Sequence, residues 1–187
     1  MSADLRLFVA LAPPVPSAKS LYAAAELLTP RLPPHRLIPA EQLHLTLAFI
    51  GETRPKEVRD IKESVDRSCS GLHSFVLATT RLVTIPTPED SGPPRLLAAA
   101  TDSPPTLLEI QRRLAQRLTR PKKNGRRPRF LPHLTLVRYR HGETSGPIDE
   151  TLDPPVTWQV RECVLFSSVL TAAGSVYEAV HTVRLED

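Results

Sequence analysis

The sequence predicts an α+β fold made of two similar lobes, and three observations carry that expectation. A short phrase occurs twice, as Leu43-His44-Leu45-Thr46-Leu47 and as Pro132-His133-Leu134-Thr135-Leu136, about half of the 187-residue chain apart. Each copy alternates polar and leucine residues with the two-residue period of a strand. His44 and Thr46 therefore share one face with leucines behind them, as do His133 and Thr135. Segments with strand patterning alternate with segments of helical patterning around both copies. Lobes related by a two-fold-like operation would set the two His-x-Thr faces opposite one another across a cleft.

Taken in order, residues 5–12 (Leu-Arg-Leu-Phe-Val-Ala-Leu-Ala) read as a buried strand stopped by Pro13-Pro14. Residues 17–28 read as a helix capped by Ser17, with Leu21, Ala24, Ala25 and Leu28 as its apolar stripe. A loop over 30–34 and a short strand over 36–39 lead to the first copy, a strand over 43–50 ended by Gly51. A second helix is expected over 56–70, with Val58, Ile61 and Val65 on one side, and an alternating strand over 73–85. The proline-rich stretch 86–94 is a long turn, and 95–101 another strand. Ser103 is expected to cap a third helix over 104–118 whose apolar face is Leu107, Leu108, Ile110, Leu114 and Leu118. The second copy forms a strand to Tyr139. A polar loop over 141–155 follows, then strand over 156–170 and a last strand over 175–185.

Composition narrows the class. An apolar fraction of 41% supports a real core, and a formal net charge of +4 is too mild to imply nucleic acid by itself. The charge is concentrated, however: six of the ten residues 120–129 are Arg or Lys, with no acidic residue among them. Lys122, Lys123, Arg126 and Arg127 are candidate guides for RNA phosphates, against the plain alternative of a solvated basic loop. Cys69 and Cys163 form no CxxC pattern and read as buried thiols in a reducing compartment. No secretory leader or membrane-length apolar run is apparent, so a cytoplasmic, monomeric protein without a membrane partner is expected.

Two facing imidazoles suit acid–base chemistry near neutral pH. One neutral ring takes a proton from attacking water while a protonated ring gives one to the departing oxygen, and in-line displacement at phosphorus places those two oxygens opposite each other. The threonine hydroxyls two residues on can donate to non-bridging phosphoryl oxygens. Neither phrase brings a carboxylate or thiol at ligand spacing, so neither a metal nor another cofactor is expected. The spacing leaves open which histidine is acid and which is base. His35, His73, His141 and His181 have no comparable setting.

With these residues the chain resembles the RNA 2′,3′-cyclic phosphodiesterases, the 2′-5′ RNA ligase-like members of the two-histidine phosphoesterase superfamily. The resemblance takes in residues 6–11, 39–51, 132–138, 165–168 and Tyr177-Glu178, and so reaches nearly the whole chain, 1–187, as a single domain of two lobes. It implies two antiparallel sheets facing a positively charged central cleft with helices outside. It implies hydrolysis of a terminal 2′,3′-cyclic phosphate on RNA or a nucleotide to a 2′-phosphate, with His44 as acid, His133 as base, and Thr46 and Thr135 on the phosphate. Arg138 matches a substrate-contacting arginine, and Phe49 holds the equivalent place after His44, where it either stacks on a base or packs in the core. An offset of five puts both on the wrong strand face unless the strand ends or bulges first. Leu37 and Ala98-Ala99-Ala100 stand where many relatives carry aromatic or large residues, which points to different base contacts. A reversible 2′-5′ ligase and a non-catalytic RNA-binding module are the alternative functions.

Overall fold

In a computed structural model, residues 4–87, 92–119, 130–171 and 174–187 are described. Their order is β1 (Leu5–Leu11), α1 (Val15–Leu28), β2 (His35–Leu37), β3 (Leu45–Thr53), α2 (Val58–Cys69), β4 (Phe75–Ile85), β5 (Leu96–Thr101), α3 (Pro105–Leu118), β6 (His133–Tyr139), β7 (Asp149–Val160), β8 (Glu162–Thr171) and β9 (Gly174–Arg184). The strands run β7-β4-β5-β6 and β3-β1-β8-β9 in two antiparallel halves, and β2 adds to β6. One residue pair, Leu45↔Leu134, joins the halves into a continuous ladder.

The halves exchange helices. β1-α1-β3 and β5-α3-β6 are equivalent strand–helix–strand units, yet α1 packs on β6 and β7 while α3 packs on β3. Each half-sheet is thus covered by the helix of the other unit, with α2 lying beside α3 against β8 and β9. Leu7, Leu11 and Leu45 from one half and Leu97, Leu134 and Leu136 from the other meet Leu107, Ile110 and Leu114 of α3 and Leu21 of α1 in one fully buried core. The opposite face of the sheet stays open. Cys69 and Cys163 are buried free thiols, as expected.

Several local expectations need correction. Neither Ser17 nor Ser103 caps a helix: α1 starts after Pro14 and α3 after Pro104, each with a proline in its first turn and no side-chain cap. Proline is pre-set for that position and needs no bonded N–H there, so the helix begins at it and Ser17 is drawn inside and buried. Leu108 is exposed on α3, and Ala115 takes the inner position instead. The polar stretch assigned to a loop over 141–155 contains the start of β7, which pairs with β4 from Asp149↔Val83 onward. β7 is an edge strand with much of its surface in solvent, so its polar composition hid it. The strand expected over 156–170 is two strands, divided at Arg161.

Leu134 is wholly inaccessible at the joint. Leu134→Ala should cost about 2–5 kcal/mol in denaturant unfolding, as core leucine deletions do; a loss below about 1 kcal/mol would show that the joint is not packed.

Candidate active site

Both His-x-Thr copies lie at the joint. Continuing the antiparallel Leu45↔Leu134 register by one residue each way sets His44 across from Thr135 and Thr46 across from His133. Two imidazoles and two hydroxyls therefore stand diagonally around one point on the open face, with Leu45 and Leu134 directly behind them.

The same irregularity follows each copy. Along β1 and β3 the pairing passes from Ala10↔Thr46 to Val9↔Ala48 and skips Leu47. Along β5 and β6 it passes from Ala98↔Thr135 to Leu97↔Val137 and skips Leu136. Each skipped leucine is a β-bulge, which turns the strand by one residue so that two consecutive side chains face the core. Leu47 and Ala48 are both buried, as are Leu136 and Val137. The next residues, Phe49 and Arg138, then return to the histidine face. This resolves the offset of five: both line the cleft.

The two rings are held alike. His44 Nδ1 lies 2.7 Å from the carbonyl oxygen of Gln42, and His133 Nδ1 lies 2.8 Å from that of Leu131. A carbonyl can only accept, so each Nδ1 carries the proton, and in the neutral ring the Nε2 lone pair is left for the cleft. Burial lowers both pKa values from the ordinary 6.5, opposed by the carbonyl bonds and assisted by the nearby positive charge of Arg138; His133 also lowers His44.

The surrounding cavity has a volume of about 480 Å³. Arg6, Arg36 and Arg138 enter it, and Arg36 and Arg138 are direct cross-strand partners. Like charges opposite one another repel. Among the described residues no carboxylate pairs with these three guanidinium groups, so the cleft is a place where an anion relieves repulsion. Aromatic rings gather on the His44 side only: Phe8 and Tyr177 lie 5.0 and 5.1 Å from the His44 ring, and Phe49, 57% exposed, stacks on Phe8. Sequence reasoning gave no site role to Arg6, Arg36, Phe8 or Tyr177, although the resemblance takes in residues 6–11 and Tyr177-Glu178. Reading the first strand as alternating instead of wholly buried would have put Arg6, Phe8 and Ala10 on one face.

Lys122, Lys123, Arg126 and Arg127 lie outside the described residues. His35, His73 and His181 bond to Pro33, Asp187 and Asp66 away from the cleft. Among the described residues no three His, Cys, Asp or Glu side chains come together as a metal site, and no helix is long and apolar enough to cross a membrane. A larger groove beyond Phe49, about 710 Å³, carries three carboxylates, Glu52, Glu57 and Asp60, against one guanidinium, Arg117, a balance that opposes a phosphate.

Solved structures with this fold include one named as a phosphoesterase, with a TM-score of 0.76 at 20% identity over 98% of this chain and 99% of that one. The chain superposes on the Thermus thermophilus protein TT0787 with a TM-score of 0.76 at 26% identity, covering 96% of this chain and 97% of that one. It superposes on E. coli LigT bound to 3′-AMP with a TM-score of 0.75 at 22% identity over the full length of both. The description of the 2′-5′ RNA ligase superfamily matches residues 10–170, and the chain belongs to that superfamily. Similar proteins include the RNA 2′,3′-cyclic phosphodiesterases of Thermotoga maritima, 24% identical over 78% of this chain and 77% of the relative, and of Methanothermobacter thermautotrophicus, 26% identical over 80% and 82%.

The lowered histidine pKa values have a stability consequence. The unfolded chain binds protons more readily at these positions, so stability is fullest above the ordinary value of 6.5 and falls as the pH drops from there toward the folded-state values. In denaturant titrations across that window, a His44→Gln/His133→Gln variant should lose less stability than the parent. Parallel pH profiles would contradict this assignment.

Proposed function

We propose that the cleft opens 2′,3′-cyclic phosphates on RNA ends or nucleotides by metal-independent general acid–base catalysis, leaving a 2′-phosphate. Water beside His133 gives its proton to Nε2 as its oxygen bonds to phosphorus. The P–O3′ bond breaks in line, and O3′ takes the proton from Nε2–H of His44. Thr46, Thr135 and Arg138 donate to the non-bridging oxygens as charge grows there, with Arg36 beside them. Phe49 offers a face to the base. The anionic substrate favours one protonated ring in a cleft that otherwise keeps both neutral, so the pair shares one proton and titrates as a unit.

The observation that carries this reading is the matching Nδ1 bond of the two rings, which leaves both Nε2 atoms for substrate. The names of the Thermotoga and Methanothermobacter relatives agree with it. We also propose a cytoplasmic monomer: one chain supplies both histidines, and its two thiols are free.

In excess EDTA the protein should convert a 2′,3′-cyclic nucleotide to the 2′-phosphate with a bell-shaped pH–rate profile. His44→Ala and His133→Ala should each lower kcat/KM by about 10²–10⁴ with the circular dichroism unchanged. Full activity in either variant, or a 3′-phosphate product, rejects the mechanism. For a longer RNA, neutralising Lys122, Lys123, Arg126 and Arg127 should weaken binding and flatten its salt dependence; an unchanged slope removes those residues from the RNA path.

A further inference from the structure

The proposed reaction uses Arg138 and Arg36 and leaves Arg6 without a task. Arg6 is exposed and lines the cleft. Strand pairing arranges its surroundings in rows. Phe8 stands between Phe49 on β3 and Phe166 on β8. Arg6, two residues earlier on the same face of β1, stands beside Ser168, which pairs in turn with Tyr177. Ser175, two residues before Tyr177 on β9, shares that face and also lines the cleft. Among the described residues no hydrogen bond ties up either serine hydroxyl, and no carboxylate holds the Arg6 guanidinium. Glu52 is the partner of Arg6 on β3, but it lines the larger groove and not the cleft. Same-face residues of a strand stand about 6.6 Å apart. Measured from Ala10, the β1 partner of Thr46, Phe8 is one such step along the strand and Arg6 two.

We infer that Arg6, with Ser168 and Ser175, binds the phosphate on the 5′-oxygen of the nucleoside that carries the cyclic phosphate. The cleft thereby selects 5′-phosphorylated substrates over bare nucleoside 2′,3′-cyclic phosphates. The inference rests on the hydrolytic reading above. With the cyclic phosphate at the two His-x-Thr copies, the nucleoside lies against Phe49 and Tyr177, the rings that flank Phe8. A ribose carries its 5′-carbon at the end opposite its 2′- and 3′-oxygens. The 5′-oxygen therefore emerges on the side away from the histidines, one step past Phe8, where Arg6 stands. The group that fits there is an anion. A guanidinium donates two parallel bonds to phosphate oxygens, and a hydroxyl donates to another. A bare 5′-hydroxyl gives the guanidinium no charge to neutralise. Glu52, on the other flank of Arg6, turns an anion away from the larger groove and keeps it on the serine side. Such a phosphate has two sources: the 5′-monophosphate of a single nucleotide, and the internucleotide diester of an RNA end.

The test measures kcat/KM of the full chain on adenosine 2′,3′-cyclic phosphate, on its 5′-phosphorylated counterpart, and on the adenylyl dinucleotide with the same cyclic end. The parent should prefer a 5′-phosphorylated substrate by about tenfold or more, as a charge-assisted hydrogen bond allows. The preference should lie in KM and shrink as salt rises. In Arg6→Met, which keeps the apolar stem, the ratio of kcat/KM values should fall to near unity, and Arg6→Lys should recover part of it. In Arg36→Met the substrates should lose activity alike, with the ratio kept. A preference for the 5′-monophosphate alone makes the ligand a phosphomonoester, and one that extends to the dinucleotide makes it the RNA backbone; either supports the site. No preference in the parent, or a preference that survives Arg6→Met, overturns the site and leaves the hydrolytic reading standing. No turnover of any of these substrates by the parent overturns both.

Discussion

The contact on which the site depends is the pair Leu45↔Leu134, where two half-sheets of separate connectivity touch. The two leucines are wholly buried. Because β-strand side chains alternate, burying these leucines forces their polar neighbours onto the other face, and the antiparallel register then sets each histidine against the opposite threonine. The hydrophobic joint and the polar constellation are thus two faces of the same four or five residues. The exchange of α1 and α3 between the halves reinforces the joint, since neither half-sheet buries its leucines without the helix supplied by the other unit.

On both strands of that joint the backbone departs from regularity in the same way, one residue past each threonine. The bulges at Leu47 and Leu136 place an extra apolar side chain in the core and return Phe49 and Arg138 to the cleft. The repeat of the bulge in both halves extends the pseudo-two-fold relation beyond the shared motif. The relation ends at chemistry: the half built on β1 and β3 contributes the aromatic rings and Arg6, and the half built on β5 and β6 contributes Arg36, Arg138 and the alanine methyl groups. A symmetric pair of imidazoles is thereby set in an asymmetric cleft. In the proposed reaction such asymmetry is what gives two identical side chains opposite roles, because it fixes which way round the substrate lies.

The electrostatics follow from placement. Burial disfavours charge on both histidines, and Arg138 disfavours it further, so the cleft by itself holds neutral rings among uncompensated guanidinium groups. Under the proposed function an entering phosphate would reverse both effects at once, offsetting the repulsion between Arg36 and Arg138 and stabilising one imidazolium. The groove beyond Phe49, rich in carboxylates, offers no such gain despite its greater volume.

The sequence by itself determined the α+β class, most element positions, the leucine-backed faces and the identity of the two His-x-Thr pairs, because these follow from local periodicity and from a repeated phrase. It left Arg6, Arg36, Phe8 and Tyr177 unassigned, since their approach to the histidines comes from strand neighbours far apart in the chain. It misread β7 because an edge strand carries polar residues on much of its surface. The face of Phe49 and Arg138 was beyond reach for a different reason: a bulge is set by how two strands fit a shared core, and no single strand's pattern records it. The tertiary structure alone decided that both residues look into one cleft.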